Sequence, residues 1–328
     1  MAIEPYDTIR IYSPDFPARR IEQLGSKPKF WFTIKEAKGG EPALPPGKLG
    51  LFKQTRAQTG EAWAEKVACT LADLIGLPHA EYQLAAYDDE NPEGTGTRGV
   101  IGWSFLESNE SLVHGNEVLS AVVSGYPKAS DTHYRRTPAH TVECVLTQCA
   151  ASVQPPLRWQ PPAGIRDAAD VMVGYLMFDA WIGNTDRHDE NWGWVLSAEG
   201  LLHLAPTYDH SSSLGRNEPD TRRMGRLLTR NPGYSVEAYA LRAPSGLHRD
   251  GDGAQLRTLE AFLRAAAIRP GAAAIWLDRL QGLTLPQWGS AVERVPADWI
   301  SLVARQFAIG ILTATRRALL AASGRPVE

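Results

Sequence analysis

Residues 186–191 read "DRHDEN", a run of carboxylates, a guanidinium, an imidazole and a carboxamide between the apolar stretches "YLMFDAWIG" and "WGWV". Asp and Asn compete with the backbone for hydrogen bonds and so mark turns, which makes a solvated turn between a helix and a strand the plain reading. The density of charge asks for more, because buried charges must be paired or bound to a metal. A second acidic station, Asp209 in "YDHSSSLG", follows 23 residues after Asp186, and each stands at the end of a buried element. With a β-hairpin between them, the two acids meet in one cleft. Phosphoryl transfer uses such a set: one carboxylate orients the proton of the nucleophile, while another, with a nearby carboxamide, binds magnesium. Magnesium takes hard oxygen ligands and keeps several waters, so one Asp and one Asn suffice on the protein side.

A cation on the nucleotide phosphates completes the set, and "LGLFKQTR" supplies it. Lys53 lies in an apolar strand, where an unpaired charge is expensive. Its expected counter-ion is Glu65 on the helix that follows, with Glu61, one turn earlier on a similar face, as the alternative.

The elements that must carry these residues follow from pattern. "KFWFTIKEA" (29–37) and "KLGLFKQTR" (48–56) are short, aromatic and branched-rich, and read as strands. "KGGEPALPPG" between them is a loop. Trp63, Val67, Leu71 and Leu74 recur at helical spacing in "GEAWAEKVACTLADLIGLP", which Gly76 and Pro78 end. "AEYQLAAY" and "RGVIGWSFLE" read as two further strands. From about residue 109 the character turns helical, at 140–152, 165–183, "TLEAFLRAAAI" and "DWISLVARQFAIGILTATRRALLAA". The expected class is α+β: a small β-rich lobe over 1–108, with "SFLESNESLVHGN" leading into a larger helical lobe over 109–328. "VQPPLRWQPPAG" reads as a surface loop.

Bulk composition narrows the field. A chain of 328 residues with 43% hydrophobic and 22% charged content is long enough for two lobes and a sizeable core. A net charge of −3 argues against a surface built for nucleic acid. Three cysteines make no disulfide framework and fit a reducing compartment; Cys144 and Cys149 do not have zinc-pair spacing. Neither a secretory signal nor a membrane-length apolar run is visible, so the expected location is the cytoplasm.

"GNTDRHDENWG" followed by "YDHSSSLG" resembles the catalytic and metal-binding segments of the HipA-type bacterial kinases, which are related by motif to the phosphatidylinositol 3/4-kinases. "LFKQTRAQTGEAWAEKVACTLADLIGLPHA" and "ESLVHGNEVL" resemble their N-lobe and lobe junction, in a compact single-chain form. The resemblance spans roughly residues 25 to 230 and implies a bilobal kinase fold using ATP and Mg²⁺. It makes Asp186 the catalytic aspartate, Asn191 and Asp209 the metal ligands, and His188 a support for the transferred phosphoryl charge. Lys53 grips the phosphates, and the junction near Phe105 offers adenine an apolar wall and backbone groups. In "QLGSKPKFWF", Gly25, Ser26 and Lys27 stand where a nucleotide-covering loop belongs, and the resemblance makes Ser26 a candidate for inactivating autophosphorylation. It also implies a Ser/Thr acceptor on a protein, with translation factors among the candidate targets, and an antitoxin partner. "DHS" departs from the D-F-G pattern of protein kinases. A lipid or small-molecule kinase, or a nucleotide-binding module without turnover, are the other classes open at this point.

Other signals weigh less. "GTGTRG" (94–99) fits G-x-G-x-x-G but precedes a strand and follows Lys53, so it reads as a hairpin turn. Ser211, Ser212 and Ser213 beside His210 lack a nucleophile elbow, and His188 with Asp189 lacks a second histidine for zinc. Arg216, Arg222, Arg223, Arg226 and Arg230 form a basic stretch after Asp209, either a solvated loop or a segment that receives an acidic peptide, a phosphorylated residue or RNA. Trp181, Trp192 and Trp194 are expected to pack the catalytic loop from both sides.

Overall fold

The computed structural model describes residues 3–12, 20–21, 28–33, 47–88, 97–128, 137–150 and 153–326. The N-terminal region is built on a six-stranded sheet in the order β1-β5-β6-β4-β3-β2. Its strands are β1 (Thr8–Tyr12), β2 (Arg20–Ile21), β3 (Lys29–Thr33), β4 (Leu49–Gln54), β5 (Tyr82–Asp88) and β6 (Thr97–Trp103). β1, which lies N-terminal to the stretches read from the sequence, runs parallel to β5; the other pairs are antiparallel.

Alternation along β4 and β6 sends Phe52, Ile101 and Trp103 to one face, where they cluster with Ile9, Ile11 and Phe32. Lys53, paired in register with Val100, faces the other side. On that side lies α1 (Glu61–Leu74), which buries Val67, Ala68 and Leu71 against Leu84 and Val100. The last three residues of the glycine-rich stretch, "TRG" (97–99), open β6 rather than a helix, and residues 94–96 lie outside the described residues.

The junction is more structured than a connector. Within "SFLESNESLVHGN", β7 (Ser111–His114) joins β8 (Gly193–Leu196) and β9 (Leu202–Leu204) in a three-stranded sheet, and α2 (Gly115–Val122) follows it directly. β8 and β9 are the hairpin expected between Asp186 and Asp209. The helical region contains α3 (Val142–Ala150), α4 (Ala168–Ile182), α5 (Asp220–Leu228) and α6 (Val236–Ala240). A two-stranded ribbon of β10 (Pro244–His248) and β11 (Gln255–Arg257) precedes α7 (Thr258–Ile268), α8 (Pro270–Gln281), α9 (Leu285–Glu293) and α10 (Leu302–Ala322).

α4 is its centre. Every residue of "AADVMVGYLMFDAWI" is buried, and α3, α7, α8 and α10 pack around it. One apolar cluster runs from α1 through α4 to α10, and α9 packs against α1, so the two regions share a core. The loop at 153–164 is anchored to that core, with Trp159 stacked on Trp276. Among the described residues no helix is long and apolar enough to cross a membrane.

Candidate active site

The residues of the "DRHDEN" loop are positioned by the end of α4. Gly183 takes a left-handed conformation (φ 64°), closing the helix and turning the chain back on itself. Asp179, an acid in a wholly buried helix, then receives the loop. Arg187 donates to it through Nε (2.7 Å) and Nη2 (2.8 Å), and Asn184 Nδ2 donates at 2.8 Å. The third guanidinium arm, Nη1, donates to the carbonyl of Asn191 at 2.6 Å. Both charges are withdrawn from water, a costly step that bidentate geometry and saturated hydrogen bonding offset. Asp189 is likewise spent on structure, accepting from Tyr126 Oη at 2.6 Å. The tryptophans join in: Trp192 Nε1 donates to His140 Nε2 (3.1 Å), while His140 Nδ1 bonds to the Gly246 carbonyl (2.9 Å). That arrangement needs a neutral imidazole, and burial pushes His140 down to about 4.

The half-buried Asp186 and His188 and the buried Asn191 remain for chemistry. Asn191 Nδ2 donates to the Asp186 carbonyl at 2.7 Å, which leaves its Oδ1 as the amide's oxygen for another partner. His188 Nδ1 accepts the Glu190 N–H at 3.2 Å. Asp209 holds a left-handed backbone (φ 58°), an arrangement that Asp tolerates better than most residues. Its N–H donates to Tyr82 Oη at 3.2 Å. Adjacent serines tie the acids together: Ser211 Oγ donates to Asp209 Oδ1 and Ser212 Oγ to Asp186 Oδ2, each at 3.3 Å.

Lys53 reaches this cluster from β4. Its Nζ lies 3.4 Å from Asp209 Oδ2. Burial opposes the ammonium charge, but Asp209, then Tyr82 and Glu65, outweigh it and raise the Lys53 pKa well above the usual lysine range. The expected counter-ion is therefore corrected. Glu65 acts on Lys53 only at longer range; its Oε1 accepts the His210 N–H at 2.7 Å, and its buried Oε2 has no hydrogen-bond partner among the described residues. Glu61 turns elsewhere, to Arg56 (3.0 Å) and to Arg216. Phe105 lies at the junction, its ring stacked on Tyr208, the residue before Asp209, and its carbonyl accepting from Arg158 at 2.8 Å. Gly25 and Ser26 lie outside the described residues.

The architecture has relatives among solved structures. A Helicobacter pylori proinflammatory kinase, CtkA, superposes with a TM-score of 0.64 at 18% identity, over 94% of each chain. HipA from the toxin–antitoxin system of Shewanella oneidensis, in complex with HipB and operator DNA, superposes with a TM-score of 0.52 at 15% identity. That match covers 91% of this chain and 65% of the other. The chain has the HipA-like kinase fold. No protein-family model matches it, and no curated protein does at the sequence level.

Within the HipA-like fold, the basic stretch is largely built into the protein. Arg216 pairs with Glu61 and donates to Ser212 Oγ at 2.8 Å. Arg223 holds Asp220 and the carbonyls of Gly215 and Arg216. Arg226 pairs with Glu218 and lies over the rings of Tyr234 and Tyr239. Arg222 and Arg230 are exposed. The imidazole of His210 turns to Thr207 Oγ1 (2.8 Å) and toward Glu65, and burial lowers its pKa. Sequence reasoning missed the roles of Asp179, Arg187, His140 and Tyr82. For Asp179 a signal existed, since an acid in a helix without a polar face requires a partner.

Proposed function

We propose that this chain is an ATP- and magnesium-dependent kinase that transfers the γ-phosphate to a Ser/Thr hydroxyl of a protein. One observation carries the reading. A continuous set of contacts runs from Lys53 to Asp209, through Ser211 and Ser212 to Asp186, and on to Asn191. The oxygens this set offers are hard: carboxylate on Asp209 and amide Oδ1 on Asn191, the donors magnesium favours. Magnesium, when bound, would neutralise charge on the phosphate oxygens. Lys53, protonated and only loosely held, exchanges Asp209 for phosphate, and Asp186 orients the acceptor hydroxyl. Phe105 and Tyr208 supply the apolar wall for the base. Positioning and fixed charge do most of the work in such a reaction.

The partner of the Shewanella HipA supports a further expectation, an antitoxin of the HipB kind bound to this chain as part of a toxin–antitoxin pair.

The test is incubation of purified protein with γ-³²P-ATP and Mg²⁺ in a cell lysate, beside Asp186→Asn and Asp209→Asn. Label on a polypeptide, lost in both variants, is the expected result. ATP turnover with label only in lipid or small-molecule fractions would move the acceptor class. ATP binding with no transfer at all would leave a nucleotide-binding module.

A further inference from the structure

A cavity of about 260 Å³ lies beside the catalytic loop, on the side of the segment that follows Asp209. Thr185, Ser212 and Ser213 line it, together with Arg216, Arg226 and Arg242. Resting on the kinase reading above, we infer that this cavity receives an acidic side chain, carboxylate or phosphorylated, that flanks the acceptor hydroxyl in the substrate protein.

Position is the first reason. Thr185 immediately precedes Asp186, and Ser212, a lining residue, donates to the Asp186 carboxylate at 3.3 Å. A group in the cavity is thus within a residue or two of the hydroxyl that Asp186 orients.

Charge is the second. The lining contains three guanidiniums and no carboxylate. Arg216 and Arg226 have acidic partners outside the lining, Glu61 and Glu218, which hold their planes in place. Arg226 is further fixed at 4.6 and 4.8 Å over the rings of Tyr234 and Tyr239. Arg242 is exposed, donates to the Gly233 carbonyl at 3.1 Å, and has no acidic partner among the described residues. Guanidinium planes match carboxylate and phosphate in a way that ammonium groups do not.

The third reason is an unspent donor. Ser213 is 1% exposed, and its hydroxyl has no hydrogen-bond partner among the described residues. A buried polar group left in that state costs free energy, which an anionic oxygen entering the cavity would recover. Size sets the class of occupant: the volume falls below the range of small-molecule pockets and suits one side chain.

The test uses the full chain, ATP and Mg²⁺ on a peptide library cut from a whole proteome, with phosphosites mapped by mass spectrometry. Half of the library is treated with phosphatase beforehand. The expected result is enrichment of an acidic residue at one fixed offset from the modified Ser or Thr. Arg242→Glu should lower that preference about tenfold and turn it toward lysine, whereas Arg242→Lys should retain part of it. Enrichment that survives phosphatase identifies a carboxylate, and enrichment lost with phosphatase identifies a phosphorylated neighbour. Modified sites with no acidic offset, or a preference that Arg242→Glu leaves intact, overturn the inference while the kinase reading stands. No modified site in either half overturns the kinase reading, and this one with it.

Discussion

Two acid–base pairs in this molecule look alike on paper and differ in build. Arg187 and Asp179 meet at 2.7 Å with side chains 2% and 4% exposed, every guanidinium arm used. Lys53 and Asp209 meet at 3.4 Å with side chains 17% and 34% exposed. The first pair is closed on all sides and fixes a backbone. The second is looser and half-buried, with both side chains partly in reach of solvent. On the proposed reading, the tight buried pair serves geometry and the slack one serves exchange.

The contrast can be broken first at its strong end. Arg187→Met leaves the Asp179 carboxylate buried without its cation and should cost about 3–5 kcal/mol in urea unfolding. Asp179→Leu with Arg187→Met should recover most of that stability and none of the phosphoryl transfer; a single variant as stable as wild type would refute the structural role.

His140 gives the next effect. Its folded pKa lies near 4, below the ordinary 6.5, so the unfolded chain takes up the proton first as pH falls. The stabilisation is present above pH 6.5 and is lost as pH drops toward 4, amounting to about 2 kcal/mol between pH 7 and 5. Unfolding midpoints of His140→Gln at those two values should differ less than those of wild type.

Gly246 comes third. A Cβ there would lie 2.3 Å from the Arg187 carbonyl and 2.6 Å from the His188 nitrogen, both backbone atoms of the catalytic loop. Gly246→Ala should therefore lower stability by about 1–3 kcal/mol and slow transfer, both measurable on one preparation.

Lys53→Met sharpens the comparison from the weak end. Its effect on stability should stay within about 1 kcal/mol, because the pair is partly exposed. Transfer from ATP should nevertheless fall about a hundredfold or more. A variant that lost stability and kept activity would invert the assignment of the two pairs.

Much of this was legible in the sequence where chemistry and periodicity coincide. Asp186, Asn191 and Asp209 could be placed together because the stretch between them reads as a hairpin, and α4, α7 and α10 announce themselves by apolar spacing. α8 did not, since "PGAAAIWLDRLQ" is rich in alanine and carries too few large apolar residues to show a face. α9 is short and begins with a proline after its first residue. The partner of Glu65 could not be read at all. It is the backbone N–H of His210, and a main-chain donor has no residue type to betray it. "DRHDEN" misleads in another way, because two of its charged members, Arg187 and Asp189, are turned inward.

The pair of glutamates on α1 has a mechanical consequence. Glu65 grips the N–H of His210 and Glu61 grips Arg216, two points on the stretch that begins at Asp209. Four residues of helix separate the grips, about 6 Å along its axis. α1 therefore works as a caliper: it sets the span of that stretch, and because it is braced on α9 the setting is referred to the far end of the chain. A slide of α1 would move both jaws at once, carrying Asp209 and the arginines of the neighbouring cavity in register.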